Sequence, residues 1–185
     1  MLEEWLQTRV PDARFFDVGY VTGRRLRFHK RSTDGSAKCD VPGSSCDSDI
    51  VWGVVFDVPD NKIGALDKAE SGYARTTMEV LREEVPLVLA AAYVANPGNI
   101  DCHLRPYTWY RGLVVAGACQ HNLPVEYIAQ LTAVVAVADL DRERGALALK
   151  AIDEYDERQS ITLNKPSMAQ GTEKPKADQR GIGWF

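Results

Sequence analysis

The sequence predicts an α+β fold in which strands come first and helices follow. Residues 13–58 contain runs of β-branched and aromatic residues separated by Gly, Ser and Asp, which is typical of strands joined by turns. After the Pro-Gly pair at residues 97–98 the apolar spacing changes to that of helices. At 185 residues the chain is long enough for one domain with a substantial core.

The strand predictions rest on runs of alternating or continuous apolar residues. Strands are predicted over residues 13–21, 24–29, 50–58, 73–81 and 87–94, with a short strand near residues 37–41 of an otherwise loop-like stretch. Charged and apolar residues alternate over 24–30, so the arginines there are interpreted as a solvated face. Residues 50–58 are almost continuously apolar, which indicates a strand covered on both faces at the centre of the sheet.

The helix predictions rest on apolar periodicity and on start and stop signals. Helices are predicted over residues 2–7, 60–70, 108–119, 124–134 and 139–158. Asp60 or Asn61 is expected to cap the second of these helices, Gly72 to end it, and Pro124 to lie in the first turn of the fourth. The charge runs within 139–158 are interpreted as solvated faces.

Composition and charge favour small molecules or proteins as partners. The net charge is −4 and the pI is near 5.4, so nothing attracts the chain to nucleic acid or to an anionic membrane surface. The longest apolar stretch, residues 87–95, is shorter than the ~20 residues that cross a bilayer, and the acidic start is unlike a signal peptide. We therefore expect a cytoplasmic protein.

Cysteine and histidine residues show no metal-site spacing. Their positions are Cys39, Cys46, Cys102, Cys119, His29, His103 and His121. Because the cysteines lack a C-x-x-C pair, they are interpreted as reduced, mostly structural thiols, although Cys39 and Cys46 are spaced to close a small loop in an oxidising compartment. The histidines are predicted to be isolated, and no Walker loop, dinucleotide turn or nucleophile elbow is present. We therefore expect no metal and no cofactor.

Glu70 is the best candidate for chemistry in the chain. Ile63, Leu66 and Glu70 follow the i, i+3, i+7 spacing, so a helix here places the carboxylate on the face that meets the core. Desolvation raises the pKa of a carboxyl group toward neutrality, where it can both accept and donate a proton. The alternative is that Glu70, just before a Gly stop signal, is a solvated end-of-helix residue. Asp67 could share the same face, but it is more simply a surface acid.

Several ordered segments resemble the γ-glutamylcyclotransferase-like family. They are Val-Trp-Gly-Val-Val-Phe at 51–56, Leu-Asp-Lys-Ala-Glu at 66–70 with Gly72-Tyr73, the stretch 31–38 and the stretch 117–127. The resemblance extends from Met1 to about residue 135. It implies a mixed β-barrel-like sheet with flanking helices over residues 1–135, followed by a helical extension at 136–158. Residues 159–185 are interpreted as a polar tail, either flexible or docked on the body.

The resemblance also implies the site residues. Glu70 corresponds to the family's catalytic acid/base, and Tyr110, Tyr73, Met1 and Leu2 are implied to contact substrate. The alternative for Tyr110 is that its ring simply packs against the sheet. Family members begin with a strand that runs into a Tyr-Gly-Ser-Asn loop, which binds the γ-glutamyl group through backbone N–H groups. That loop and its strand are absent here, and the missing strand is expected to leave unpaired backbone groups on its neighbour.

The implied reaction is cyclisation of a γ-glutamyl amino acid, peptide or amine to 5-oxoproline, with release of the amine and without a cofactor. The missing loop has two explanations: either the true start lies upstream of Met1, or the chain has lost half of its binding site. We favour the first, because the rest of the family pattern is present. The alternative function is accordingly a catalytically impaired binding or scaffold protein on the same fold. With either function, we expect a monomer or homodimer. A third possibility, a transferase that uses Cys119 or His121, has little support because no pair of base and nucleophile is visible.

Overall fold

The structure is a computed structural model that describes residues 2–83, 85–162 and 180–183, with side chains described for 2–83 and 85–159. Its helices are α1 (Glu3–Gln7), α2 (Asp60–Ala69), α3 (Thr108–Gln120), α4 (Val125–Thr132) and α5 (Ala146–Thr162), with a 3-10 helix at Pro97–Asn99. Its strands are β1 (Arg14–Thr22), β2 (Arg27–Arg31), β3 (Ala37–Asp40), β4 (Ile50–Asp57), β5 (Tyr73–Arg82), β6 (Val85–Ala95) and β7 (Arg180–Gly183). The predicted α+β class is confirmed. None of the described helices combines the length and apolar character needed to cross a bilayer.

Five strands form one mixed, barrel-like sheet in the order β1-β4-β7-β6-β5. Its neighbours are antiparallel except β6 and β7, and its two ends meet at a single residue pair, Tyr20 with Leu81. Gly19 permits this approach, because a Cβ there would lie 2.5 Å from Val80 Cγ1 and 2.7 Å from the Leu81 carbonyl oxygen. One contact, rather than a continuous ladder, therefore brings the two ends of the sheet together.

Strand β4 is an interior strand that lies between β1 and β7, rather than at the centre of the sheet as predicted. It is covered on both faces, as its continuous apolar run predicts. Val51 and Val55 belong to a cluster shared with α3 and α4, whereas Val54 and Phe56 belong to a second cluster shared with α1 and α2. All four side chains are at most 1% exposed. Alternate residues of β4 therefore anchor the two halves of the core.

Strand β7 lies between β4 and β6 and pairs with both. Residues 54–57 of β4 pair with it in antiparallel register, and Ala91 of β6 pairs with Gly181 in parallel register. A missing first strand is expected to leave unpaired backbone groups on its neighbour, but here β7 occupies the place next to β4. Residues 180–183 of the predicted tail thus dock on the body; residues 163–179 lie outside the described part.

The last helix begins at Ala146 rather than at Asp139 as predicted. Asp139 Oδ1 accepts a hydrogen bond from the backbone N–H of Asp141 at 3.0 Å, and Asp141 Oδ1 accepts one from Glu143 at 3.1 Å. Such local bonds compete with helical ones and keep this segment in turns. The Asp139 side chain is 6% exposed and its Oδ2 accepts the Trp109 indole N–H at 3.0 Å, so it is not part of a solvated face.

Candidate active site

Glu70 lies at the C-terminal end of α2 with its side chain buried. Ile63, Leu66 and Glu70 are 8%, 7% and 6% exposed, which is the arrangement that their spacing predicts. Glu70 is the residue that follows the helix; its N–H donates to the Leu66 carbonyl at 3.0 Å, and its own carbonyl accepts the Tyr73 N–H at 3.1 Å. The helix begins after Pro59, without the predicted side-chain cap from Asp60 or Asn61.

Two cationic side chains act on the Glu70 carboxyl group. Burial raises the pKa of Glu70 above its ordinary value of 4.5, and the charges of Arg9 and Lys30 act in the opposite direction. Arg9 Nη1 lies 3.3 Å from Glu70 Oε1 and is the direct partner, although the Arg9 side chain is 39% exposed. The net direction is upward, because the loss of hydration outweighs a partly solvated ion pair. The raised pKa brings the carboxyl group closer to the range in which it can both accept and donate a proton.

Tyr73 and Tyr110, both predicted to contact substrate, bind the backbone of the same β3 residue, Cys39. The Tyr73 hydroxyl donates to the Cys39 carbonyl at 2.6 Å, and the Cys39 N–H donates to the Tyr110 hydroxyl at 3.1 Å. Burial raises the pKa of both phenols well above the ordinary value of 10, so they remain neutral. Both rings therefore have the structural partner that a buried tyrosine requires, and their contact with substrate stays a prediction.

Two lysines lie against these tyrosine rings. Lys30 Nζ is 4.7 Å from the centre of the Tyr73 ring, and Lys38 Nζ is 4.5 Å from that of Tyr110. Burial lowers the pKa of each ammonium group. Lys38 also donates to Asp34 Oδ2 at 2.7 Å, which balances its charge. Lys30 instead has its cation–π contact with Tyr73 and its attraction to the Glu70 charge.

The remaining predicted residues lie in different surroundings. Asp67 is a surface acid whose side chain is 40% exposed; it accepts the Tyr93 hydroxyl at 2.7 Å and pairs with Arg75. Leu2 is fully buried among Leu113, Ala148 and neighbouring side chains, so its contact with substrate stays a prediction. Met1 lies outside the described residues.

The cysteines do not provide a buried nucleophile. All four are free thiols, so Cys39 and Cys46 form no disulfide. Burial raises the pKa of Cys39 to about 12 and also raises that of Cys119, which opposes thiolate formation at both. Burial lowers the pKa of His121 to about 4. Within the described part of the chain, no group of three or more His, Cys, Asp or Glu side chains is placed to hold a metal ion.

Sequence reasoning missed the partners of the site residues. Arg9 gave no signal, and Lys30 directly follows the strand predicted over 24–29, whose arginines were interpreted as a solvated face. A bulge between Phe28 and Lys30 in the β2–β3 pairing shifts the register there, so the alternation stops predicting which face a residue occupies. His29 was predicted to be isolated, which is wrong: its Nε2 lies 2.8 Å from Asp40 Oδ2.

The turn after Glu70 gives a stability prediction. Gly72 has a φ of +87°, and a Cβ there would lie 3.1 Å from both Asn99 Nδ2 and Lys30 Cε. We expect Gly72→Ala to lower the free energy of unfolding by about 1–2 kcal/mol, because a left-handed backbone strains an L-residue. Gly64→Ala is the control: it lies inside α2 with nothing within 4 Å of its Cβ, and should stabilise by about 0.5–1 kcal/mol. Denaturant unfolding measures both, and equal signs would contradict this account of the turn.

Comparison with known proteins identifies related sequences and folds. The AIG2-like family matches residues 50–131, whereas no curated protein matches. The human uncharacterized protein loc79017 is 24% identical with a TM-score of 0.70, over 80% of this chain and 91% of that chain. A structure described as a γ-glutamyl cyclotransferase is also 24% identical with a TM-score of 0.70, over 80% and 92%.

A third solved structure, YkqA from Bacillus subtilis, is more distant. It is 14% identical with a TM-score of 0.57, over 72% of this chain and 49% of that chain. At these identities the structural likeness establishes the fold, and the AIG2-like match adds a sequence relationship over β4 to α4. Together they confirm the predicted resemblance of the chain to the γ-glutamylcyclotransferase-like family.

Proposed function

We propose that the protein is a γ-glutamylcyclotransferase-type enzyme that forms 5-oxoproline from a γ-glutamyl amino acid, peptide or amine. The observation behind this proposal is the buried Glu70 carboxyl group, 6% exposed, beside Arg9 and within the field of Lys30. The AIG2-like match and the shared fold support the class of reaction. The substrate, the roles of single residues and a cytoplasmic monomer or homodimer belong to the proposal.

The chemistry is an intramolecular acyl transfer. The α-amino nitrogen attacks the γ-carbonyl carbon of the same molecule, a new C–N bond closes a five-membered ring, and the bond to the attached amine breaks. Because nucleophile and electrophile belong to one molecule, holding it folded gives access to effective molarities of about 10⁵ M or more. The site must therefore grip the substrate and move protons, and no cofactor is needed.

Glu70 is assigned both proton transfers. The α-amino group arrives mostly as ammonium, so a base must take a proton before attack, and an acid must then protonate the departing nitrogen. One carboxyl group whose pKa is raised toward neutrality can do both in turn. Arg9 keeps the ionised form accessible, since without a counter-charge a buried carboxyl group would stay protonated.

Substrate binding is assigned to the groups around Glu70. Lys30 is placed to attract the substrate's α-carboxylate, because it is a half-buried cation near Glu70 and the Tyr73 ring. Tyr73 and Tyr110, held by the backbone N–H and carbonyl groups of Cys39, form one wall of the proposed site. Met1 and Leu2 are assigned contacts to substrate because the family resemblance implies them.

The test is direct detection of 5-oxoproline. Purified protein is incubated with a γ-glutamyl dipeptide, a γ-glutamylamine and, as the matched control, the α-glutamyl dipeptide, and products are measured by mass spectrometry. We expect 5-oxoproline from the γ-linked compounds alone, because only these carry the scissile amide at the γ-carbonyl, where attack by the α-amine closes a five-membered ring. If γ-linked compounds bind in calorimetry without turnover, the alternative of a catalytically impaired binding protein replaces this proposal.

A further inference from the structure

We propose that Cys102, His29 and Asp40 form a second reactive site, at which the Cys102 thiol exchanges with small disulfides that carry carboxylate groups. Cys102 is exposed, and its Sγ lies 4.0 Å from His29 Nδ1. The other ring nitrogen, His29 Nε2, lies 2.8 Å from Asp40 Oδ2. Thiol, imidazole and carboxylate are thus aligned in the order that activates cysteine nucleophiles.

Asp40 is a positioning residue that fixes the orientation and the tautomer of the histidine ring. Its side chain is fully buried, and its Oδ1 accepts the backbone N–H groups of Val41 and Ala95, each at 2.8 Å. A carboxylate only accepts hydrogen bonds, so the Nε2 nitrogen of His29 is the donor to Oδ2. In neutral imidazole this leaves the lone pair on Nδ1, which faces the Cys102 sulfur and can take its proton.

The backbone holds the thiol and the imidazole together. The β2–β3 register is irregular between Phe28 and Lys30, so His29 is the bulged residue of β2. Bulges of this kind turn a side chain out of the regular alternation. The His29 carbonyl accepts the Asp101 N–H at 2.8 Å, and this bond places the loop that carries Cys102 beside the bulge. The pairing is therefore built into the fold rather than left to a free surface side chain.

A cavity in front of these residues favours an anionic ligand. It has a volume of about 590 Å³, within the usual range for small-molecule sites, and both His29 and Cys102 line it. Arg27 and Arg105 also line it, and the described residues of its wall include no carboxylate. Apolar side chains such as Val134 complete the wall. A small molecule with carboxylate groups and an apolar body fits this combination, and the cavity does not include Glu70.

The proposed step balances without another reactant. His29 Nδ1 takes the proton of the Cys102 thiol, and the thiolate attacks one sulfur of the disulfide. A bond forms between Cys102 Sγ and that sulfur, the S–S bond of the disulfide breaks, and the departing thiolate takes the proton from His29. The disulfide is the oxidant, one half of it remains on Cys102 as a mixed disulfide, and the other half leaves as a thiol.

The test uses the reduced full-length protein and two disulfide probes that release coloured thiols. Dithiobis(nitrobenzoate) carries carboxylates and dithiodipyridine carries no charge at neutral pH. The reaction rate of Cys102 is measured in the Cys46→Ser variant, and that of Cys46 in the Cys102→Ser variant. Peptide mass mapping identifies which cysteine has been labelled. Cys46 is the matched control, because it is an exposed thiol that is followed in the sequence by two acidic residues, Asp47 and Asp49.

We expect Cys102 to react first. The ratio of its rate with the anionic probe to its rate with the neutral probe should be about tenfold higher than the same ratio for Cys46. His29→Gln should slow Cys102 about tenfold or more with both probes, whereas Arg105→Gln should slow only the reaction with the anionic probe. The proposal would be overturned if a thiol other than Cys102 reacted fastest, or if the rate of Cys102 were unchanged in His29→Gln. It would also be overturned if the ratio of the anionic-probe rate to the neutral-probe rate were equal at Cys102 and Cys46. The comparison of the two probes at Cys102 and Cys46 needs only variants of exposed cysteines. It therefore tests the proposal even if His29→Gln fails to fold.

Discussion

Glu70→Gln is expected to lower the rate of 5-oxoproline formation by about 10³-fold, within the range that general acid–base catalysis contributes. Glutamine keeps the shape of the side chain and a partner for Arg9, but it can neither take a proton from the substrate ammonium nor return one to the leaving nitrogen. The loss should lie in kcat, because the substrate is held by other groups. Steady-state kinetics with a γ-glutamyl dipeptide measures it, and Asp67→Asn is the control on an exposed acid of the same helix.

The pH profile separates a chemical role of Glu70 from a structural one. Since burial raises its pKa above 4.5, kcat/KM of the parent protein should fall as the pH drops through that raised value, while the residual rate of Glu70→Gln should lack this limb. Stability should behave oppositely. A carboxyl group whose pKa is raised by folding stabilises the native state below pH 4.5 and loses that contribution as the pH rises through the folded value. Glu70→Gln should therefore stay folded at neutral pH, and full activity in it would refute the assignment.

Asp40→Ala is expected to lower the free energy of unfolding by about 3–5 kcal/mol. The Asp40 carboxylate is fully buried and accepts the Val41 and Ala95 N–H groups and the His29 ring, each at 2.8 Å. Alanine leaves two buried N–H donors and one ring nitrogen without their partner, which costs more than the removed bonds themselves contribute. Urea unfolding followed by circular dichroism measures the difference.

Two further variants make this result specific. Asp40→Asn should lose less than Asp40→Ala, because the amide oxygen still accepts the two N–H groups while its NH₂ group faces His29. Asp47→Ala, at an exposed position of the following loop, should leave stability nearly unchanged. If Asp40→Ala unfolds at the same urea concentration as Asp47→Ala, the hydrogen bonds of the buried carboxylate do not stabilise the contact between β3 and β6.

Local pattern was enough to predict the elements and the burial of Glu70. The continuous run over 50–58 became the buried interior strand β4, and the spacing of Ile63, Leu66 and Glu70 put the carboxyl group on the core face at the end of α2. Both results depend on periods of two and 3.6 residues, which neighbouring residues alone specify. The start of α5 was placed wrongly, because the side chains of Asp139 and Asp141 bind nearby backbone N–H groups instead of continuing a helix.

By itself, then, the sequence determined the α+β class, nearly all of the strands and helices, the family resemblance and the choice of Glu70. Only the tertiary structure decided which groups surround it. Arg9 reaches Glu70 across 61 positions and Tyr110 reaches Cys39 across 71, while β7 inserts between β4 and β6 from the far end of the chain. Such contacts depend on strand register and a bulge at His29, and a shift of one residue reverses which face a side chain occupies. No local sequence pattern specifies which face these side chains occupy. The residues that contact Glu70 are therefore determined only by the packing of the whole chain.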